Sequence, residues 1–147
     1  MHSPELIEIT IDDLAFGGDG VGRVEGKACF VPGTIPGENC RVRLVTDKKS
    51  FLRAELVEVL EASPDRVDPL CPVFGQCGGC QYQHMDYAAE LKYKEQQVKE
   101  TFSRLGGLED PPVGAIIPSP SPYGYRNRIQ VHVENSQPGF KGRDGRT

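Results

Sequence analysis

The 147-residue chain has no apolar run approaching the roughly 18–20 residues that a membrane-crossing helix needs. Its first twelve residues also lack the basic and apolar regions of a signal peptide. No membrane association is therefore expected. Five cysteines are too few for a secreted disulfide miniprotein, and Gly 17 with Pro 12 is turn-rich but short of low complexity. Positive charge is scarce too, with 17 basic against 21 acidic side chains. What remains is a soluble, cytoplasmic protein with the length of one ordinary domain or two small ones.

The net charge of −4 taken alone argues against a nucleic-acid partner, but the charge is unevenly spread. Residues 1–40 carry two basic and seven acidic side chains, whereas residues 41–63 carry five and four. Residues 64–110 carry five and eight, and residues 111–147 five and two. Phosphate binding depends on a local basic surface rather than on the total.

The first 62 residues read as five short strands. Ile7, Ile9 and Ile11 alternate with Glu8 and Thr10. Asp12-Asp13 and Gly17 to Gly20 are turn chemistry, and Glu25-Gly26 is a hairpin turn into Lys27 to Val31. Cys40, Val42 and Leu44 alternate with Arg41 and Arg43, and a last strand covers about Arg53 to Leu60. Five strands in so short a span predict a small OB-like barrel, because closure hides the sheet edges. Such barrels often bind oligonucleotides on a strand face and its loops.

A cysteine-bearing loop is expected over 63–85. An amphipathic helix follows over 86–110, with Asp86 as cap, Gly106-Gly107 as stop, and Tyr87, Leu91, Val98, Phe102 and Leu105 on one side. Five prolines over 111–122 predict a stiff, extended linker. Beyond it, Tyr125, Ile129, Val131 and Val133 alternate with Arg126, Arg128, Gln130 and His132, which predicts a strand with one basic face. Residues 123–147 are thus the first strands of an incomplete α+β central domain, and the chain reads as the front end of something longer. The fold class expected is mainly β with one long helix.

Cys29 and Cys40 fall in predicted strands, where free cysteine behaves as a small buried apolar residue. Cys71, Cys77 and Cys80 differ, being spaced C-x5-C-x2-C in a glycine-bearing loop that lets thiolates converge. In a cytosolic protein that pattern points to a metal or cluster before disulfides. Three thiolates with His84 would make a Cys₃His zinc site. Three thiolates with a fourth cysteine would suit an iron–sulfur cluster. Spacing alone leaves zinc, iron–sulfur and inert cysteines open.

Gly18-Asp-Gly20-Val-Gly-Arg, Cys29-Phe30-Val31-Pro and Ile35-Pro36-Gly37-Glu38 together resemble the TRAM domain, a small OB-like RNA-binding barrel. The continuation is similar to bacterial RNA (uracil-5-)-methyltransferases of the 23S rRNA type. It runs through Ser63-Pro64-Asp-Arg66, Cys71-Pro72, Cys77-Gly-Gly-Cys80, Gln81-Tyr-Gln83-His84 and Tyr125-Arg126-Asn127-Arg128. The resemblance implies methyl transfer from S-adenosylmethionine to carbon 5 of a uridine, with ribosomal RNA preferred over transfer RNA. It implies a 4Fe-4S cluster on Cys71, Cys77 and Cys80, whose fourth ligand is missing from this chain. It also implies that the catalytic cysteine, the base and the cofactor pocket lie in a C-terminal domain absent here. No catalytic residue is therefore assigned, S-adenosylmethionine belongs to the complete enzyme only, and the chain alone is expected to be an inactive monomer.

For RNA contact the sequence nominates Arg41, Arg43, Lys48, Lys49 and Arg53 in the barrel, with Phe51 as a stacking residue, and Arg126 and Arg128 downstream. A reading of a different class is a stand-alone TRAM-type module with a Cys₃His structural zinc. A methylthiotransferase relative ranks lower, because C-x5-C-x2-C does not match the CxxxCxxC signature of that chemistry.

Overall fold

A computed structural model describes residues 6–142, and it divides into two compact units after Val67. No helix among the described residues is long and apolar enough to cross a membrane.

The first unit is a closed five-stranded barrel of β1 (Leu6–Leu14), β2 (Asp19–Val24), β3 (Lys27–Pro32), β4 (Asn39–Asp47) and β5 (Phe51–Glu61). Its strand order is β1-β2-β3-β5-β4, with β4 closing on β1 and only the β3–β5 pair parallel. This is the OB-like barrel the alternation predicts. Inward residues Ile9, Ile11, Cys29, Val31, Cys40, Val42, Leu52 and Ala54 form its core, with Ile7, Val24, Leu44, Leu56 and Val59 packed against them. Asp12-Asp13 is not the turn expected. Both lie within β1, where the register shifts between Ile11 and Asp13, and such a bulge bends a strand around a barrel corner. The chain turns instead over Ala15 to Gly18, closed by a hydrogen bond from Ala15 N to Asp19 O at 2.9 Å. Glu25 and Gly26 both have positive φ (49° and 80°), as the predicted two-residue hairpin requires.

Two glycines allow close approach to β2, from the segment between β3 and β4 at Gly20 and from β1 at Gly22. A Cβ on Gly20 would lie 2.0 Å from Thr34 Oγ1, and one on Gly22 would lie 2.3 Å from the Thr10 carbonyl oxygen. Both glycines therefore face the interior, and Asp19, Val21 and Arg23 face out. An ion pair between the buried Glu38 and the partly buried Arg66 ties the segment before β4 to the chain after β5. The fully buried Glu38 carboxylate accepts from Arg66 Nε and, at 2.8 Å, from Arg66 Nη2, and it also accepts from the Ile35 amide at 3.0 Å.

In the second unit, helix α1 (Tyr87–Gly106) starts at Asp86, whose carboxylate accepts from Ala88 N at 3.0 Å, and stops at Gly107 in a left-handed conformation (φ 66°). Three pairs, Glu90–Lys94, Glu95–Lys99 and Glu100–Arg104, place the acid one turn before the base, the favourable order. The apolar stripe is only partly covered. Tyr87 and Leu91 are half-buried, while Val98, Phe102 and Leu105 are exposed and the buried helical residues are Ala89 and Gln97. The proline-rich segment is extended and tied along the first half of the helix. Ser119 N donates to the Tyr87 hydroxyl at 2.8 Å, and Ile116 N donates to Glu95 Oε2 at 3.0 Å.

The strand expected across 125–133 is shorter than the alternation predicts. Among the described residues of this stretch, β6 (His132–Glu134) pairs with β7 (Gln137–Gly139), and Tyr125, Ile129, Val131 and Val133 are exposed. Alternation supplies an apolar face but not a surface to bury it on, and a lone hairpin offers none. Of the expected 123–147 segment, residues 143–147 lie outside the described residues.

Candidate functional site

Two groups of side chains carry the candidate chemistry, one in each unit. On the barrel, strand pairing sets outward residues in two rows. Arg23 pairs with Ala28 and Ala28 with Phe51; one step on, Val21 pairs with Phe30 and Phe30 with Arg53. Phe30 and Phe51 meet edge to face, with centroids 6.0 Å apart and planes at 78°, and the Arg53 guanidinium lies over the Phe30 ring at 5.8 Å. The β2–β3 and β4–β5 turns share one rim, because β3 and β5 start side by side, and Lys27 binds Asp47 across it at 2.7 Å.

The nominated barrel cations separate into two sets. Arg41 bridges Glu8 and Glu58, both at 2.9 Å, and Arg43 stands 3.6 Å from Glu55. Arg53 is 3.3 Å from Asp19. Lys48 and Lys49 are exposed on the rim and, like Arg23, form no ion pair among the described residues. Phe51 and Arg53 thus share one face with Phe30 and Arg23, which sequence reasoning missed. The pattern signal was present, since Phe30 alternates with the buried Cys29 and Val31. Arg126 and Arg128 lie in the exposed irregular segment of the second unit, with Arg126 5.9 Å from the Tyr125 ring centroid.

Cys29 and Cys40 are fully buried, as expected, and burial pushes both thiols up, Cys40 to about 11. A thiol so disposed is a poor nucleophile and ligand at neutral pH. Cys71 and Cys77 are half-buried and Cys80 is exposed; none is in a disulfide. Their loop is closed from two directions. Cys71 N donates to Gln83 Oε1 at 3.1 Å, and Gly78 N donates to the Lys141 carbonyl at 2.9 Å. A Cβ on Gly78 would come within 2.7 Å of that carbonyl, so the contact requires glycine.

Among the described residues no three His, Cys, Asp or Glu side chains stand together as ligands for one metal ion. The Cys₃His tetrahedron of the zinc reading is therefore not assembled. His84 is buried instead, its ring stacked on Phe74 with centroids 5.4 Å apart. The donor chemistry fits a cluster better. Each thiolate of a cluster binds its own iron, so the ligands need not converge on a point, and hydrogen bonds to sulfur tune such centres. The Gly79 amide donates to Cys77 Sγ at 3.3 Å. Cys71, Cys77 and Cys80 thus lie on one loop, and as thiolates they would suit separate irons of such a cluster.

Comparison with known proteins adds to this geometry. A profile of the TRAM domain matches residues 5–57. The chain is 43% identical over 140 residues to an uncharacterized RNA methyltransferase of Halalkalibacterium halodurans, covering 95% of this chain and 31% of that protein. It is 43% identical over 138 residues to another from Nostoc sp., covering 94% and 30%. The chain thus spans about 30% of the length of these curated relatives. Among solved structures it resembles the Pyrococcus abyssi tRNA (uracil-54, C5)-methyltransferase in complex with S-adenosyl-L-homocysteine. That match has a TM-score of 0.56 and 28% identity, over 90% of this chain and 29% of the other.

Proposed function

Because residues 5–57 form a TRAM domain and the chain is homologous along nearly its whole length to RNA methyltransferases, we propose that it is the RNA-binding and cluster-carrying portion of an enzyme that methylates carbon 5 of a uridine. The observation that carries this reading is the match over 90% of the chain to a solved enzyme of that chemistry. S-adenosylmethionine is the methyl donor in the proposed reaction. A thiolate adds to carbon 6 of the uracil, carbon 5 takes the methyl from the sulfonium, and loss of the carbon 5 proton then expels the thiolate. No residue of this chain is assigned to those steps, and the chain by itself is proposed to be inactive.

The target base must leave its stack, so gripping the surrounding RNA is part of the chemistry. Lys48, Lys49, Phe51 and Arg53 supply that grip in the barrel, and Arg126 and Arg128 supply it in the second unit. Ribosomal RNA is the proposed substrate, on the order of TRAM domain and CGGC loop; the solved neighbour acts on tRNA, which makes tRNA the control. Cys71, Cys77 and Cys80 would hold three corners of a structural iron–sulfur cluster in a cytoplasmic protein.

Anaerobic purification followed by iron, sulfide and zinc analysis tests the cluster. Iron and sulfide in a brown protein support it, whereas stoichiometric zinc in a colourless protein favours a stand-alone zinc module. Binding to ribosomal and transfer RNA fragments tests the grip. Arg126→Ala with Arg128→Ala is expected to weaken binding and reduce the salt slope by about 2.

A further inference from the structure

The three cysteines of the second unit are not held alike. Cys77 and Cys80 are separated by two glycines, and the Cys77 amide donates to the Val73 carbonyl at 3.0 Å. Cys71 stands at the open end of the loop, and its position is set from the far side. The Cys71 amide donates to Gln83 Oε1 at 3.1 Å, and the Cys71 carbonyl accepts from Phe74 N at 3.1 Å. Both peptide groups beside its α-carbon are thereby held, and with them the direction of its Cα–Cβ bond. The bond to Gln83 closes a ring of chain that contains all three cysteines. Gln83 is itself braced on both sides. The Tyr82 hydroxyl donates to the buried Gln97 of α1 at 3.4 Å, and the Lys94 ammonium lies 4.9 Å from the Tyr82 ring centroid. The His84 ring is buried against Phe74, whose amide holds the Cys71 carbonyl.

We infer that Gln83 is a positioning residue for the iron–sulfur cluster: its side-chain carbonyl fixes the Cys71 backbone and so keeps the Cys71 thiolate in place as a ligand. The inference rests on the cluster reading above and adds to its cysteines a residue that ligates nothing. Closing the loop before iron arrives removes the entropy cost of bringing a thiolate from the open end of the chain. Glutamine suits this position because its carbonyl accepts from the amide without adding to the negative charge of three thiolates. Two consequences separate this role from general support of the loop. Loss of the acceptor acts on Cys71 before Cys80, and a charge placed on the acceptor changes the electronic balance of the cluster.

The test compares two variants with the parent. Gln83→Met keeps the length of the side chain and removes the acceptor, whereas Gln83→Glu keeps an acceptor and adds charge; circular dichroism confirms that each is folded. In the reduced, metal-free chain, iodoacetamide alkylation mapped by mass spectrometry is expected to run about fivefold faster at Cys71 in Gln83→Met, with Cys80 unchanged. The chain is then loaded anaerobically with iron, sulfide and mercaptoethanol, whose thiolate takes the fourth corner. Release of iron to a chelator is expected to be about tenfold faster in Gln83→Met. Gln83→Glu is expected to retain iron to within about twofold of the parent and to lower the reduction potential, because added negative charge opposes gain of an electron. Parental rates in Gln83→Met, equal acceleration of alkylation at Cys71 and Cys80, or an unshifted potential in Gln83→Glu would each overturn the role. If the parent takes up no iron and sulfide, the cluster reading fails and the role with it; if the parent loads and Gln83→Met matches it, the positioning role alone fails.

Discussion

Glu38 has no exposed side-chain surface, yet its carboxylate is matched by two guanidinium nitrogens and a backbone amide, and Arg66 Nη2 also donates to the Gly33 carbonyl at 2.8 Å. Removing one partner strands the other without its charge. Arg66→Ala is therefore expected to destabilise the barrel by about 3 kcal/mol, read from the urea midpoint. The pair explains why Ile35-Pro36-Gly37-Glu38 and Ser63-Pro64-Asp-Arg66 occur in one sequence: they are two ends of one contact. Cys40 feels the same pair. It holds its proton to about 11 against an ordinary 9.0, first through burial, then through Glu38, with Arg66 partly opposing. In the unfolded chain the thiol ionises at its ordinary value. The stability contributed is thus complete below about pH 9 and is lost as pH rises toward about 11. Urea midpoints across that range are expected to fall, and to fall less steeply in Cys40→Ala.

Among the elements, β1 and β2 are held at a separation that only glycine permits. The Gly22 Cβ position faces a backbone oxygen that cannot swing away, so Gly22→Ala is expected to cost about 3 kcal/mol and lower the thermal midpoint. Gly26 has open space around its Cβ position, and Gly26→Ala is expected to cost about 1 kcal/mol through its positive φ alone. Strand number, the Glu25-Gly26 turn, the inward faces of β1 and β4, and both ends of α1 were legible in the sequence, because period-two alternation and cap chemistry are local. The bulge at Asp12-Asp13 was not legible. Two acidic residues read as a turn unless the corner of a closed barrel is known to need an extra residue. The helix stripe was legible as apolar, but its coverage depends on what packs beside it. The proline-rich strap reaches only its first half.

At the scale of the whole molecule, the barrel and the cysteine loop lie in different compact units, each with its own hydrogen bonds and buried residues. Replacing Cys71, Cys77 and Cys80 together by serine is expected to abolish iron binding while leaving oligouridylate affinity within about twofold. Metal analysis and a binding titration on the same preparation check both halves. Local pattern alone determined that this chain folds as a short-stranded barrel followed by a capped helix, that Cys29 and Cys40 are core residues, and that three further cysteines share a tight loop. Spacing, alternation and capping act over a few residues and need no knowledge of distant chain. Only the tertiary structure decided which cations are spent on carboxylates, that Phe30 joins Phe51 and Arg53 on one face, and that the His84 ring is buried against Phe74. Those outcomes depend on strand register and on contacts between residues far apart in sequence, and a sequence read one window at a time does not contain either.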